Sequence, residues 1–456
     1  MKTGGSTSFL GGITASAGTL VAGNGTPFPT NANNAITING SSLDLNGFDV
    51  RLSRLGGNVS GSILLGANML IAGNAASSAT FSGVMSGTGG YVKVGLTSQV
   101  LSGTNTFTGG LLITEGPVYF PTNGGGCPYS LGPGPNTITI TNTGWWGANV
   151  IGTSIISNKV LLANVGPTAI LDPAGAGTVI WEQAGQISGT GGLLRTGAKG
   201  SGVVILSGSN TFSGGVQLDG RGIVLGNKNA LGTAPLTIGN PAFPPTNNTI
   251  YLATTFDLIG ANAITNNATV NQDFSFNGPI PGGFGLEMTG PVTLASGTKV
   301  ISATGTGVAL MTGVISGSGG INKDGASPLT LSANNAYTGS TIVSNGTLAL
   351  TGSGSVAGSS DVTVLAGATL DASGRTDGKL TVGAAQTLRG LGSIIGDVII
   401  AGALAPGTST GTLTINGNLG LNNSALFEID KSESRTPDIG GLSRNYAVAK
   451  AVTVWK

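Results

Sequence analysis

Short runs in which apolar and polar residues alternate recur from one end of the chain to the other. Examples are found at residues 35–40, 136–140, 235–239 and 361–365. Alternation with a period of two places the apolar side chains on one face of a β-strand. The i, i+3, i+4, i+7 spacing of an amphipathic helix is not sustained anywhere, so the pattern predicts an all-β protein with almost no helix.

Glycine-containing turns separate these runs, most regularly in the last third of the chain. The apolar pairs between the turns there are Val362/Val364, Leu380/Val382, Val398/Ile400, Leu413/Ile415 and Leu419/Leu421. Strands this short occur in sandwiches, barrels and solenoids. Sandwiches and closed barrels have a fixed number of strands, whereas a solenoid extends by adding rungs, so the long repetition favours a parallel β-solenoid. At roughly 22 residues per rung, the chain would make about 20 rungs.

A longer cassette repeats within this pattern. Its first half ends in Ser-Gly-x-Gly-Gly, and its second half reads Leu-Ser-x-x-Asn-x-aromatic-x-Gly. Copies lie near residues 5–23 (second half only), 81–120, 187–226 and 315–350. We therefore predict one continuous solenoid over residues 1–427, followed by a charge-rich cap or connector at 428–456.

Composition excludes several classes of function. Charged residues make up 8% of the 456 positions, the net charge is +1, and the chain contains 82 Gly, one Cys and no His. So few Lys and Arg provide no electrostatic surface for nucleic acid. Without His, and with one Cys, there is no imidazole base and no zinc or haem site of the usual kinds. We predict no catalytic residue, no metal and no cofactor.

The same counts separate the chain from disordered and membrane-spanning proteins. Hydrophobic residues reach 39%, which is enough apolar surface to bury, unlike in a solvated disordered chain. No stretch approaches the roughly 18 apolar residues that span a bilayer, so we predict no membrane insertion. The first residues lack the apolar core of a signal peptide, so we expect an export signal to have been removed or to lie outside this chain.

Residues 189–215 carry a family resemblance almost throughout their length. They follow the signature GxGGLxKxGxGxLxLSGxNxYxGG of the autotransporter-associated β-strand repeat, also called the passenger-associated transport repeat. Residues 395–407 and 411–419 resemble the end of such passengers, and the similarity covers roughly residues 5–430. The resemblance implies a right-handed β-helix, secretion, and a place on the bacterial surface or outside the cell. It implies no activity, because the repeat is a scaffold.

Two segments in the body of the chain have enough charge to be considered for carbohydrate chemistry. They are residues 44–54, with two Asp and two Arg, and residues 371–379, with two Asp, one Arg and one Lys. A glycosidase needs two carboxylates about 5–9.5 Å apart across a sugar. Asp-x-x-Gly is also ordinary turn chemistry, and we favour that structural interpretation for both segments.

Trp145 and Trp146 are adjacent in a chain with 5% aromatic residues. Neighbouring strand residues face opposite ways, so at least one ring should point outward if this segment is a strand, and an exposed ring could contact a sugar or a partner. Coverage of the ring by an insertion loop is the alternative.

The two ends of the chain suggest an assembly contact. A solenoid exposes a strand edge at each end. Gly5 and Phe9 lie in a segment with one charge, whereas Val452, Val454 and Trp455 lie in an alternating strand-like run. We predict that these five residues join copies head to tail, by the main-chain pairing of β-augmentation.

These observations favour a non-enzymatic, secreted structural protein. In this interpretation a β-helical rod serves as an adhesin, matrix or fibre subunit, and end-to-end stacking into filaments is an extension of it. Its partners are then copies of itself or extracellular glycans. The alternative is a β-helix that binds or cleaves polysaccharide.

Overall fold

A computed structural model describes most of the chain. The described residues are 12–23, 35–120, 131, 136–148, 152–164, 166–171, 173, 179–196, 202–242, 250–276, 278, 283–407, 412–421, 429–430, 448–449 and 452–455. They form a parallel β-solenoid of about 16 turns, which confirms the predicted fold class. One 3-10 turn, Gly260–Asn262, is the helical element of these ranges, and they contain no helix with the length and hydropathy of a membrane span.

The strands are short because each crosses one face of a rung before a turn. In chain order, the first 24 are β1 Ile13–Ala15, β2 Thr19–Val21, β3 Ala35–Ile38, β4 Ser42–Asp44, β5 Val50–Arg51, β6 Arg54–Gly57, β7 Ser62–Gly66, β8 Met69–Ala72, β9 Ala79–Phe81, β10 Val84–Gly87, β11 Gly90–Lys93, β12 Gln99–Leu101, β13 Leu111–Phe120, β14 Thr137–Ala148, β15 Gly152–Ile156, β16 Lys159–Leu162, β17 Pro167–Ile170, β18 Val179–Gln183, β19 Ile187–Gly189, β20 Gly192–Arg195, β21 Val203–Leu206, β22 Val216–Leu218, β23 Ile223–Leu225 and β24 Leu236–Ile238.

The remaining strands follow the same pattern. They are β25 Ile250–Thr254, β26 Ala268–Val270, β27 Phe274–Ser275, β28 Leu286–Met288, β29 Val292–Leu294, β30 Thr298–Ser302, β31 Ala309–Met311, β32 Ile315–Gly317, β33 Gly320–Asp324, β34 Leu329–Leu331, β35 Thr341–Val343, β36 Thr347–Gly352, β37 Asp361–Val364, β38 Thr369–Arg375, β39 Lys379–Val382, β40 Thr387–Gly390, β41 Ser393–Ile395, β42 Asp397–Ile400, β43 Ala403–Pro406, β44 Leu413–Asn416, β45 Leu419–Leu421, β46 Ile429–Asp430, β47 Val448–Ala449 and β48 Val452–Trp455.

The chain divides into two compact units. Unit 1 comprises residues 1–236 and 245–248, and unit 2 comprises residues 237–244 and 249–456. In unit 1, parallel strands stack in the orders β1-β3-β6-β9-β12-β13, β2-β4-β7-β10, β15-β18-β21-β23 and β17-β20-β22. The two halves of β13 pair with different strands, the first with β11 and the second with β12, and its register against β14 shifts between Ile113 and Glu115. Each rung therefore supplies a strand to more than one face.

In unit 2, the order β28-β31-β34-β36-β38-β41-β44-β48 shows why the fold holds together. Register pairing places Leu329, Leu348, Leu370, Ile394 and Ile415 directly above one another, and all five are buried. Each contributes about 1.5–3 kcal/mol by leaving water. The alternating pattern of the sequence thus becomes an aliphatic column inside the coil.

The predicted number of rungs, roughly 20, exceeds the observed number of about 16. The predicted spacing of about 22 residues per rung holds for residues that pair between successive rungs, such as Leu348 and Leu370. Partners are 27 residues apart between Leu111 and Ile138, and 39 apart between Leu413 and Val452. Insertions and excursions consume residues without adding turns, and their lengths follow no hydrophobic period. Continuity of the solenoid through residue 427 stays a prediction.

Candidate functional site

Each complete cassette buries one cation at the turn that follows a strand. Lys93, Arg195 and Lys323 end or nearly end β11, β20 and β33, and each side chain is fully buried. A buried charge is costly unless its hydrogen-bonding capacity is satisfied. We call these three residues the corner cations.

Lys323 is satisfied by main-chain oxygens from two successive rungs. Its Nζ donates to the carbonyl oxygens of Asp324 at 3.0 Å and Gly325 at 2.6 Å on its own turn. It also donates to the carbonyl oxygen of Asn345 at 2.9 Å on the next rung. Three N–H donors therefore meet three acceptors, which is the full capacity of an ammonium group. The cation binds the turn to the rung that follows it.

The other two corner cations repeat this arrangement. Lys93 Nζ donates to the carbonyl oxygens of Val94 (2.9 Å), Gly95 (2.5 Å) and Glu115 (3.1 Å). Arg195 extends further because its fork carries more donors, which reach the carbonyl oxygens of Leu171, Thr196, Gly202 and Gly222 at 2.7–3.4 Å. Lysine and arginine therefore fill equivalent positions in the three cassettes.

Each cassette also buries an asparagine and an aromatic residue on the turn beyond the next strand, which is β12, β21 or β34. Asn335 accepts a hydrogen bond from the Ile315 amide on the preceding rung at 2.9 Å and donates to the Ser355 carbonyl oxygen on the following rung at 3.1 Å. Asn210 bridges three rungs in the same way, and Asn105 accepts from the Met85 amide. The aromatic side chains two positions later are buried: Phe107, Phe212 and Tyr337.

Burial also shifts the pKa values of ionisable groups in the cassettes. Desolvation lowers the pKa of Lys323 to about 8, although the nearby Asp324 carboxylate acts in the opposite direction. Desolvation likewise lowers the pKa of Lys93 to about 8, against the effect of Glu115. The pKa values of Tyr91 and Tyr337 are raised by burial. The folded state thus disfavours the lysine charge and the phenolate charge alike.

These shifts predict a maximum of stability near pH 10. Above pH 8 the folded protein releases the Lys323 proton while the unfolded chain retains it, so the free energy of unfolding should rise with pH. Above about pH 10 the unfolded chain ionises Tyr337 first, so the free energy of unfolding should fall. Denaturant unfolding from pH 7 to 11.5 measures both limbs. Lys323→Met should flatten the rising limb, and Tyr337→Phe should weaken the falling one; unchanged profiles in both variants would contradict the assignment.

The two tryptophans of the sequence prediction are both buried. Trp145 is 7% exposed and Trp146 is 0% exposed, so the expectation that one ring faces solvent is wrong. They do face opposite ways: Trp146 makes an edge contact with Trp181, while Trp145 makes one with Tyr119. Residues 144–148 are buried without interruption, so the outer face is covered as well as the inner one. A role of Trp145 or Trp146 in contacting a ligand stays a prediction.

The charged segments use their carboxylates in local turns and rung contacts. Asp44 accepts from the Asn46 amide at 2.9 Å, and Asp49 accepts from the Met69 amide one rung away at 2.8 Å. Asp371 accepts from the amide and hydroxyl of Ser373 at 2.9 and 2.6 Å. Asp377 pairs with Arg375. Within the described ranges, no group of three or more His, Cys, Asp or Glu side chains is placed to hold a metal ion.

Only some of the predicted assembly residues fall within the described part of the chain. Gly5 and Phe9 fall outside the described residues. Strand β48 carries Val452, Val454 and Trp455, and it pairs in parallel with β44 of the same chain. One edge of that strand is therefore engaged internally, and its use between copies stays a prediction.

The corner cations were missed in the sequence prediction, although the alternation contained a signal for them. Lys323 lies two positions after the buried Ile321, so it belongs to the inward-facing set of its strand. The same spacing relates Arg195 to Leu193. A Lys or Arg at an inward position, two residues after Gly-Gly-apolar, is the recognisable pattern.

Comparison with known proteins agrees with the recognition made from the sequence. Three segments match the Passenger-associated-transport-repeat family, at residues 92–116, 198–220 and 321–350. The first and third each contain a corner cation together with the buried asparagine and aromatic residue of the same cassette. The chain thus carries passenger-associated transport repeats, and the repeat signature corresponds to a set of cross-rung contacts.

A curated relative extends the similarity over most of the chain. The Adhesin BmaC autotransporter of Brucella suis biovar 1 (strain 1330) is 27% identical over 399 residues, which is 83% of this chain and 11% of the relative. The chain therefore spans about a tenth of the length of that protein. No solved structure matches.

Proposed function

We propose that this chain is a stretch of an exported, non-enzymatic adhesin that is displayed on the bacterial surface or released from it. The observation that carries the proposal is the buried cation, asparagine and aromatic residue of each cassette, a set that overlaps all three matches to the passenger-associated transport repeat. These contacts join successive rungs, as expected of an extended scaffold. The relative named as an autotransporter adhesin supports adhesion as the use of that scaffold.

The positions of the carboxylates support a non-enzymatic role. Asp44, Asp49 and Asp371 each accept a main-chain hydrogen bond. A carboxylate held in a turn or between rungs serves the backbone, whereas a glycosidase must place two of them across a sugar. Polysaccharide cleavage is therefore the less favoured alternative.

The proposal extends to head-to-tail assembly of copies of this chain. Parallel stacking by main-chain hydrogen bonds would continue the pairing that already joins the rungs. Because β44 occupies one edge of β48, head-to-tail pairing would use the opposite edge of β48.

Surface display tests adhesion directly. The chain, fused to a heterologous surface anchor on a non-adherent bacterium, should increase attachment to epithelial cells or to extracellular matrix at least tenfold over the anchor alone. Protease resistance of the displayed chain verifies folding, and a chain carrying Asn105→Ala, Asn210→Ala and Asn335→Ala serves as the poorly folded control. Attachment equal to that of the anchor alone, with the chain folded, would contradict the proposal.

A further inference from the structure

A surface pocket in unit 2 lies outside the aliphatic core and outside the corners. Its volume is about 390 Å³, and its lining includes Asn334, Ser353, Arg375, Thr376 and Asp377. It forms where β36 and β38 continue past the aliphatic column, after a register shift that pairs Gly352 with Arg375. The Thr376 amide then donates to the Gly352 carbonyl oxygen at 2.8 Å, which fixes the two turns that form the pocket.

An ion pair with two hydrogen bonds lines the pocket. Arg375 Nε donates to Asp377 Oδ1 at 3.0 Å, and Nη2 donates to Oδ2 at 3.2 Å. A third contact, from Nη1 to the Gly354 carbonyl oxygen, anchors the guanidinium to the preceding rung. The Lys379 amide holds Asp377 from the other side at 3.1 Å. Both side chains are thus oriented before any ligand arrives, which reduces the entropy lost on binding.

The pair keeps unused hydrogen-bonding capacity on its open side. A guanidinium has five N–H donors and a carboxylate about four acceptor sites, and the contacts above use only part of each. The Asp377 side chain is 49% exposed, whereas that of Arg375 is 18% exposed. A donor and an acceptor a few ångströms apart match two neighbouring hydroxyl groups, one accepting and one donating. The charges of the pair cancel, so the site favours a neutral ligand over an anion.

The geometry points to a carbohydrate subsite: this pocket binds a neutral sugar residue, with vicinal hydroxyls on Arg375 and Asp377 and further contacts to Asn334 and Ser353. The volume lies within the range of small-molecule sites, about 300–1,000 Å³. This inference rests on the proposed adhesive function and assigns it a ligand class, an extracellular glycan.

The same contacts favour binding without hydrolysis. Asp377 supplies the carboxylate of the described lining, while Asp371 accepts hydrogen bonds from Ser373 in its own turn. The hydrogen bond from Arg375 lowers the pKa of Asp377, so this carboxyl stays ionised at neutral pH and donates no proton to a leaving group. A bound glycan should therefore be released intact.

Saturation-transfer NMR on the full chain tests the subsite. Glucose, galactose, mannose and N-acetylglucosamine are the neutral probes, and glucuronate and N-acetylneuraminate are the anionic ones. At least one neutral probe should show transfer at millimolar concentration, and Asp377→Asn and Arg375→Gln should each raise its Kd at least tenfold. Asp49→Asn is the matched control, because Asp49 also accepts a backbone amide across rungs at the surface, and it should leave the Kd unchanged.

Each outcome decides the inference. Absence of transfer from all neutral probes, stronger transfer from the anionic ones, or Kd values in both pocket variants that equal that of the wild-type chain would overturn it. Thermal unfolding of the variants verifies that both remain folded, which is expected because Asp377→Asn retains an acceptor for the Lys379 amide. The attachment assay with the surface-displayed Asp377→Asn variant separates the two proposals. If no neutral sugar binds the pocket while the displayed chain still promotes attachment, the adhesive function stands and only its ligand assignment is lost.

Discussion

Gly317→Ala is expected to destabilise unit 2 by about 3 kcal/mol or more, because it combines a strained backbone, about 1–2 kcal/mol, with overpacking, about 1–3 kcal/mol. Gly317 ends β32 with φ of +106°, and a Cβ built on it would lie 2.2 Å from the Leu294 carbonyl oxygen of the preceding rung. That oxygen belongs to β29, which pairs with β32 in register over three residues. Denaturant unfolding of the purified chain measures the change.

Gly367→Ala is the matched control. Its φ is +79°, but a Cβ there would meet no atom within 4 Å. The control isolates backbone strain and should cost about 1 kcal/mol. Equal losses in the two variants would show that close packing of rungs adds nothing at Gly317 and would contradict the explanation.

Asn335→Ala is expected to cost about 2–6 kcal/mol, because it leaves two buried main-chain groups without partners at about 1–3 kcal/mol each. These groups are the Ile315 amide and the Ser355 carbonyl oxygen, on the rungs before and after the asparagine. Hydrogen exchange read by mass spectrometry should show faster exchange in peptides covering residues 315–320 and 355–360. Loss of protection on both sides is the specific signature of a bridging side chain.

The neighbouring Asn334 provides the control for this substitution. Asn334 is exposed and precedes the buried asparagine by one position on the same turn. Asn334→Ala should change stability by less than about 0.5 kcal/mol, as surface substitutions usually do. If Asn334→Ala and Asn335→Ala proved equally costly, the bridge would not be the source of the stability.

The fold was predictable because one physical rule, alternation, controls most of it. Leu348 and Leu370 are inward residues of short strands, and a solenoid places them in one column automatically. The number of rungs was less predictable, because the 27-residue spacing from Leu111 to its partner Ile138 includes an insertion that no period marks.

The candidate sites were less predictable than the fold, and the reason differs from site to site. Lys323 is a charged residue, yet the alternation of its strand places it in the interior. Only the carbonyl oxygens of two rungs explain how its charge is tolerated there. Trp145 obeys alternation and faces outward, yet Tyr119 and the surrounding buried positions cover it. Arg375 and Asp377 were identified as charged residues of one segment, but the pocket depends on the turn of the preceding rung.

The contacts of Lys323 have a consequence for the order in which this protein acquires its structure. Two acceptors lie on its own turn, but the third, the Asn345 carbonyl oxygen, arrives only with the next coil. The Lys323 ammonium group therefore keeps one donor for water until the rung that carries Asn345 has folded against its own. The turn after β33 thus reaches its final hydrogen bonding only when the following rung is in place.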